Sequence, residues 1–160
     1  MFKEQILPPE NISELGAKLR SQGKRVVFTT GAYDLIHSGH AHFLAEARTW
    51  GDALVVGVSG NSRRREKRGP VHPLVDQAQR METLSYLRPV DYVTVVDRAV
   101  EDVLVDLQPD VFYTIKEDWK NNVRSKKESD IVEKSGGKVI KADRLEPFVS
   151  SSGVVERLSH

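Results

Sequence analysis

Apolar runs alternate with amphipathic ones along this chain, and the alternation predicts its elements. Residues 26–30, 53–59, 92–96, 111–115 and 139–141 are short, continuous and rich in valine. That is the pattern of strands buried on both faces. Between them, residues 12–21, 40–50, 75–87, 100–107, 125–134 and 153–158 carry apolar positions at helical spacing. Asn11 or Ser13 can cap the first helix, and Gly136-Gly137 stops the one before the last strand. Residues 71–74 and the basic stretch 63–69 read as loops.

Strands alternating with helices require a parallel sheet, and right-handed crossovers make it a doubly wound α/β sandwich. Ligands of such sheets sit beyond the carboxyl ends of the strands. The 160 residues suit one domain over 1–160. There are 24 Lys and Arg against 23 Asp and Glu, a formal charge of +1, so no global field draws the chain to nucleic acid or membrane. No cysteine is present, which excludes a disulfide framework and thiolate metal sites and fits a cytoplasmic setting. The N-terminal stretch carries Glu4 and two prolines and lacks a long apolar run, so neither a signal peptide nor a membrane span is expected there.

The most informative stretch is TTGAYDLIHSGH, which follows the first core strand and leads into a helix. His37 and His40 are three residues apart and share the first helical turn. Gly39 between them lets a phosphate approach the main chain. Helix-start amides and the positive end of the helix dipole face the same point. Two histidines near a helix start are ordinarily solvated or capping residues. Here the strand before and the helix after supply the context that a phosphate cradle needs.

The segment TTGAYDLIHSGHAHFLAEA resembles the His-x-Gly-His signature of the cytidylyltransferase-like nucleotidyltransferases. Over 12–158, the chain most resembles the adenylyltransferase domain of bacterial ADP-heptose synthesis, with glycerol-3-phosphate cytidylyltransferase second. The resemblance implies a Rossmann-like three-layer sandwich with a five-stranded sheet of order 3-2-1-4-5. It implies transfer of a nucleoside monophosphate from ATP or CTP to a small phosphorylated acceptor, with loss of pyrophosphate. Mg²⁺ would arrive mainly through the nucleotide phosphates, with no dedicated protein ligands, and relatives of this size are commonly homodimers. His37 and His40 would act on the α- and β-phosphates. Thr30, Gly31, Ala32, Tyr33 and Gly39 would surround the nucleotide, with Asp34 toward the acceptor.

Further positions follow from the same resemblance. In Arg63-Arg64-Arg65-Glu66-Lys67-Arg68-Gly69, either Lys67 or Arg68 takes the place of the relatives' lysine before glycine, with Arg65 beside the acceptor. Arg80 of Gln79-Arg80-Met81 would reach the acceptor phosphate, and Arg144 would assist. Asp118 and Trp119 would meet the ribose and base. Ser150, Ser151 and Ser152 would seat the β- and γ-phosphates at a helix start. The chain departs from the relatives at Asn61, where they carry aspartate, and at Thr114-Ile115-Lys116, where they carry Lys-Gly. Three other readings stay open on sequence: glycerol 3-phosphate or FMN as acceptor, a nucleotide-binding domain without turnover, and a nucleic-acid binder using the arginine run. His42 and His72 read as ordinary packing or surface residues.

Overall fold

The structure is a computed structural model that describes residues 2–116, 119, 122–144 and 151–158. After two 3₁₀ turns and the strand β1 (Ile6–Leu7), the elements run α1 (Ile12–Ser21), β2 (Val26–Gly31), α2 (Ser38–Arg48), β3 (Ala53–Ser59), α3 (Asn61–Arg68) and α4 (Gln77–Ser85). They continue with β4 (Tyr92–Val96), α5 (Val100–Leu107), β5 (Val111–Ile115), α6 (Val123–Lys134), β6 (Lys138–Ala142) and α7 (Ser151–Leu158). All strands pair in parallel in one sheet of order β1-β4-β3-β2-β5-β6. The expected α/β sandwich is present, and β4-β3-β2-β5-β6 reproduces the expected five-strand order. The count is corrected to six by β1, whose two residues are too few to show a period. Thr94 Oγ1 donates to the Leu7 carbonyl at 3.0 Å and helps hold that edge.

Alternation along the strands sorts the core into two layers. Val26, Phe28 and Val55 point to one face, under Ile12, Leu15 and Leu19 of α1 and Leu104 and Leu107 of α5. Val27, Leu54, Val56 and Val58 point to the other, under Leu44 of α2 and Leu84 of α4. At the amino ends of the strands, aspartates take amides that the ladder leaves over. Asp110 Oδ2 accepts from Val26 N at 2.7 Å, Asp52 Oδ2 from Arg25 N at 2.8 Å, and Asp91 Oδ2 from Leu54 N at 2.8 Å. The carboxyl ends, where β2 lies between β3 and β5, remain available for a ligand.

The basic stretch expected as a loop is the helix α3. It contains no apolar residue, so hydrophobic periodicity had nothing to register. Among the described residues, no helix is long and apolar enough to cross a membrane.

Gly16 is a close-approach site: a Cβ there would lie 2.5 Å from the main-chain oxygen of Leu107. Alanine would gain up to about 1 kcal/mol in helix propensity, but a clash with backbone must be relieved by moving α1 off α5. Overpacking of this kind typically costs about 1–3 kcal/mol. Gly16→Ala is therefore expected to lower unfolding stability in urea. An unchanged or higher midpoint would contradict this packing.

Candidate active site

The motif strand β2 ends at Gly31, and the chain turns sharply through Tyr33, whose φ is +50°. Side chains rarely adopt that left-handed conformation. Tyr33 is buried, its ring packs 5.4 Å from that of His40, and burial pushes its phenol pKa up. Gly31 makes room for the ring, since a Cβ at residue 31 would lie 2.9 Å from Tyr33 Cε2.

Helix α2 then starts on an unusual cap. His37 is the N-cap, and its Nδ1 accepts the Gly39 amide at 3.1 Å. His40 Nδ1 in turn accepts the His37 amide at 3.3 Å. This is the reciprocal arrangement of a capping box, made with imidazoles in place of a hydroxyl and a carboxylate. The amides assign the tautomer: a nitrogen that accepts an N–H carries no proton, so each neutral ring holds its hydrogen on Nε2. The two ring centroids are 4.0 Å apart. Burial lowers the pKa of His37, and burial followed by the neighbouring His37 lowers that of His40 to about 4. Both are therefore neutral donors near pH 7. The cap also corrects the picture of free helix-start amides, because the Gly39 N–H is taken by His37.

Both histidines line a cleft of about 880 Å³, together with Thr30, Gly31, Ala32, Tyr33, Asp34 and Gly39. Helix α3 forms a cationic wall. Arg63, Arg64, Lys67 and Arg68, at helical spacing, all line the cleft. Burial and the neighbours Arg63, Arg124 and Arg64 lower the Lys67 pKa, with Glu128 opposing. Facing it from α6 are Arg124 and the buried Glu128, whose Oε1 accepts from Arg124 Nε at 2.9 Å. Burial raises the Glu128 pKa, and Arg124 offsets part of that rise. Trp119 lines the cleft beyond β5, packed edgewise on Phe112 at 6.0 Å, with Lys141 Nζ 5.2 Å from its centroid. Arg144 also lines it.

Two expected acceptor residues are placed elsewhere. Arg65 is exposed and absent from the cleft wall, because residues 65 and 66 fall on the far side of α3. Arg80 is 1 % exposed, and four of its five N–H donors are engaged within the fold. Nε donates to Val75 O (2.8 Å), Nη1 to Ala32 O (2.6 Å) and Ser59 O (2.8 Å), and Nη2 to Asn61 Oδ1 (3.0 Å). It ties together the turns after β2 and β3 and the segment before α4. Asn61 completes the clasp, donating from Nδ2 to Asp76 Oδ2 at 2.6 Å and accepting the Gln77 amide at 3.0 Å. Asp118 and Ser150 lie outside the described residues, as do the side chains of Ser151 and Ser152, whose backbone opens α7. Sequence reasoning missed Arg63, Arg64, Arg124, Glu128 and His72 as cleft residues. A helical reading of α3 would have found the first two, whereas the others carry no local signal.

A parallel sandwich with imidazoles at the β2–α2 junction and cations opposite suits a phosphate-handling enzyme of the nucleotidyltransferase class. The chain belongs to the cytidylyltransferase-like family, whose profile matches residues 28–157. It is 36 % identical over 158 residues to the Bifunctional protein HldE of Syntrophotalea carbinolica, covering 98 % of this chain and 31 % of that protein. With the Bifunctional protein HldE of Trichlorobacter lovleyi it shares 33 % identity, covering 93 % and 30 %. The chain thus spans about a third of the length of these curated relatives. Among solved structures, the lipopolysaccharide core biosynthesis protein from Thermoplasma volcanium GSS1 superposes with a TM-score of 0.62 at 26 % identity, covering 79 % of this chain and all of that one. Pantoate-beta-alanine ligase from Francisella tularensis, at 14 % identity and TM-score 0.62 over 89 % of this chain and 68 % of that one, shares the fold.

Two outcomes follow from this geometry. Arg80→Ala strands buried carbonyls on three segments at about 1–3 kcal/mol each, so it is expected to lose several kcal/mol of stability. An unfolding free energy within about 1 kcal/mol of wild type would refute the clasp. The unfolded chain binds a proton at His40 near pH 6.5, and the folded chain binds it only near pH 4. Stability is then full above pH 6.5 and falls as pH drops from 6.5 toward 4. His40→Gln should flatten that slope in denaturant titrations run at pH 4.5, 5.5 and 7.

Proposed function

We propose that this protein transfers a nucleoside monophosphate from a nucleoside triphosphate to a small phosphorylated acceptor, releasing pyrophosphate. The donor is ATP and the acceptor a heptose 1-phosphate. The pair rests on the resemblance to the adenylyltransferase domain of ADP-heptose synthesis and on the likeness to HldE proteins along most of the chain. The observation that carries the reading is the pair of amide-anchored imidazoles, which leaves two neutral Nε2–H donors on a cleft that four cations of α3 wall on one side.

An oxygen of the acceptor phosphate attacks the α-phosphorus. The bond from that phosphorus to the bridging oxygen breaks, and its electron pair leaves with pyrophosphate. The attacking group is already anionic near pH 7, so no strong general base is needed. Alignment and charge compensation are the protein's share. His37 and His40 donate to the α- and β-phosphate oxygens as charge moves onto the leaving group. Lys67 and Arg68 offset the charge brought together by two anionic substrates. Thr30 to Tyr33 and Gly39 surround the nucleotide, Asp118 and Trp119 flank its nucleoside, and Ser150, Ser151 and Ser152 receive its outer phosphates. Among the described residues no group of three His, Asp or Glu is placed to hold a metal. Mg²⁺, which neutralises triphosphate charge when bound, would be carried mainly by phosphate oxygens and water.

The test is a panel of four nucleoside triphosphates against heptose 1-phosphate, glycerol 3-phosphate and FMN, scored by pyrophosphate. ATP with heptose 1-phosphate should give the highest kcat/KM. His40→Ala should lower kcat about 10²–10³-fold, the usual loss for one such donor. Absence of pyrophosphate with every pair would reject enzymatic transfer, and a preference for CTP with glycerol 3-phosphate would replace the substrate assignment.

A further inference from the structure

Asp34 stands three residues before the first motif histidine and is 8 % exposed. Its carboxylate is occupied by main chain: Oδ2 accepts the Leu74 amide at 3.0 Å and Oδ1 the Val75 amide at 2.8 Å. This pins the segment between α3 and α4 against the turn after β2. The same contact places His72 beside the carboxylate, with Nδ1 3.6 Å from Oδ2, too far for a good hydrogen bond. Arg64 of α3 is close enough to Asp34 to be stabilised by its charge, against the opposing effects of burial and Arg68.

Two buried nitrogens around Asp34 are left over. Among the described residues, Arg64 Nε and His72 Nδ1 are both shut off from solvent and have no hydrogen-bond partner. Buried polar groups are ordinarily satisfied within the fold, and exceptions need a reason. Both residues line the cleft, and they come from different elements. One carboxylate whose oxygens already serve two amides cannot neutralise Arg64 and Arg68 together. The corner is therefore short of negative charge and rich in donors. A phosphate monoester dianion in the cleft would supply the missing charge to the parts of Arg64 and His72 that line it, and a guanidinium fork matches it in shape.

We propose that Arg64 and His72 bind the phosphate of the acceptor, with Asp34 as the positioning residue that sets the His72 loop against α3. The assignment rests on the transfer reading above and replaces Arg80, which is buried with four of its five N–H donors bonded within the fold. It also links the two substrates: Asp34, which sets the His72 loop, and His37, which faces the α-phosphate, are the two ends of one short turn. Arg64 and His72 then act on binding of the acceptor and leave binding of the triphosphate alone.

The test is steady-state kinetics on the full chain with ATP and heptose 1-phosphate, varied independently. Arg64→Gln should raise KM for heptose 1-phosphate roughly 10- to 100-fold, the scale of a lost charged hydrogen bond, while KM for ATP stays within about twofold. His72→Asn should raise the same KM by a smaller factor, and Arg64→Lys should recover part of the loss. Inorganic phosphate provides a reading independent of turnover, since it should raise the melting midpoint of wild type more than that of Arg64→Gln or His72→Asn. Unchanged acceptor KM in both variants, or a rise confined to ATP, would overturn the assignment and leave nucleotidyl transfer intact. If wild type turns over no pair, the transfer reading fails. The phosphate shift then decides the anion site alone: equal shifts in wild type and variants refute it, and a shift lost in the variants supports it.

Discussion

At the head of α2, two main-chain amides hydrogen-bond to imidazole nitrogens instead of to a hydroxyl or a carboxylate. A serine or aspartate would cap the helix as well and would do nothing more. A ring that accepts at Nδ1 is left with a fixed donor at Nε2, and it is held in place by the helix start itself. Partial burial keeps both rings neutral, and at His40 the His37 ring 4.0 Å away adds to the effect. Capping, tautomer and protonation state are thus settled by one local interaction. The site opens from it, because the turn that delivers His37 also presents Asp34 and Tyr33.

Charge in the cleft is divided between two kinds of group. The imidazoles donate without carrying a net charge, whereas the cations of α3 carry it without being fixed by the cap. Helix formation decides which cations face inward, and Arg80 decides where the helix stands. Its guanidinium bridges the turns after β2 and β3 to the segment before α4. An exposed arginine reaching for a ligand and a buried one clasping three carbonyls are the same letter in a sequence. Only burial distinguishes them. The interior role of Arg80 leaves the acceptor's charge to be met by residues on the cleft wall, and among the described residues Arg64 and His72 each keep a buried nitrogen unmatched.

Much of this was legible from the residues. Strands 53–59, 92–96 and 111–115 and helices 12–21 and 100–107 have the bounds that their periodicity predicts, because each is a valine-rich or amphipathic run with a strong burial pattern. The histidine pair was legible as chemistry because its junction between strand and helix could be read on both sides. Strand β1 was not, since two residues have no period. Helix α3 was not, since eight polar and charged residues have no apolar stripe, and with it went the sorting of Arg63 and Arg64 inward and Arg65 outward. His72 and Glu128 reach the cleft by long-range packing that no local pattern encodes.

The claim on which the account rests is that His37 and His40 are neutral, with the proton on Nε2, at the pH where the protein works. Long-range ¹⁵N–¹H correlation spectra of the histidine side chains at pH 7 read this directly. The account predicts that two of the five imidazoles show a protonated Nε2 and a bare, hydrogen-bonded Nδ1, lose those signals in His37→Ala and His40→Ala, and shift at Nε2 when a nucleoside triphosphate is added. Imidazolium rings, or rings protonated at Nδ1, at those two positions would contradict it.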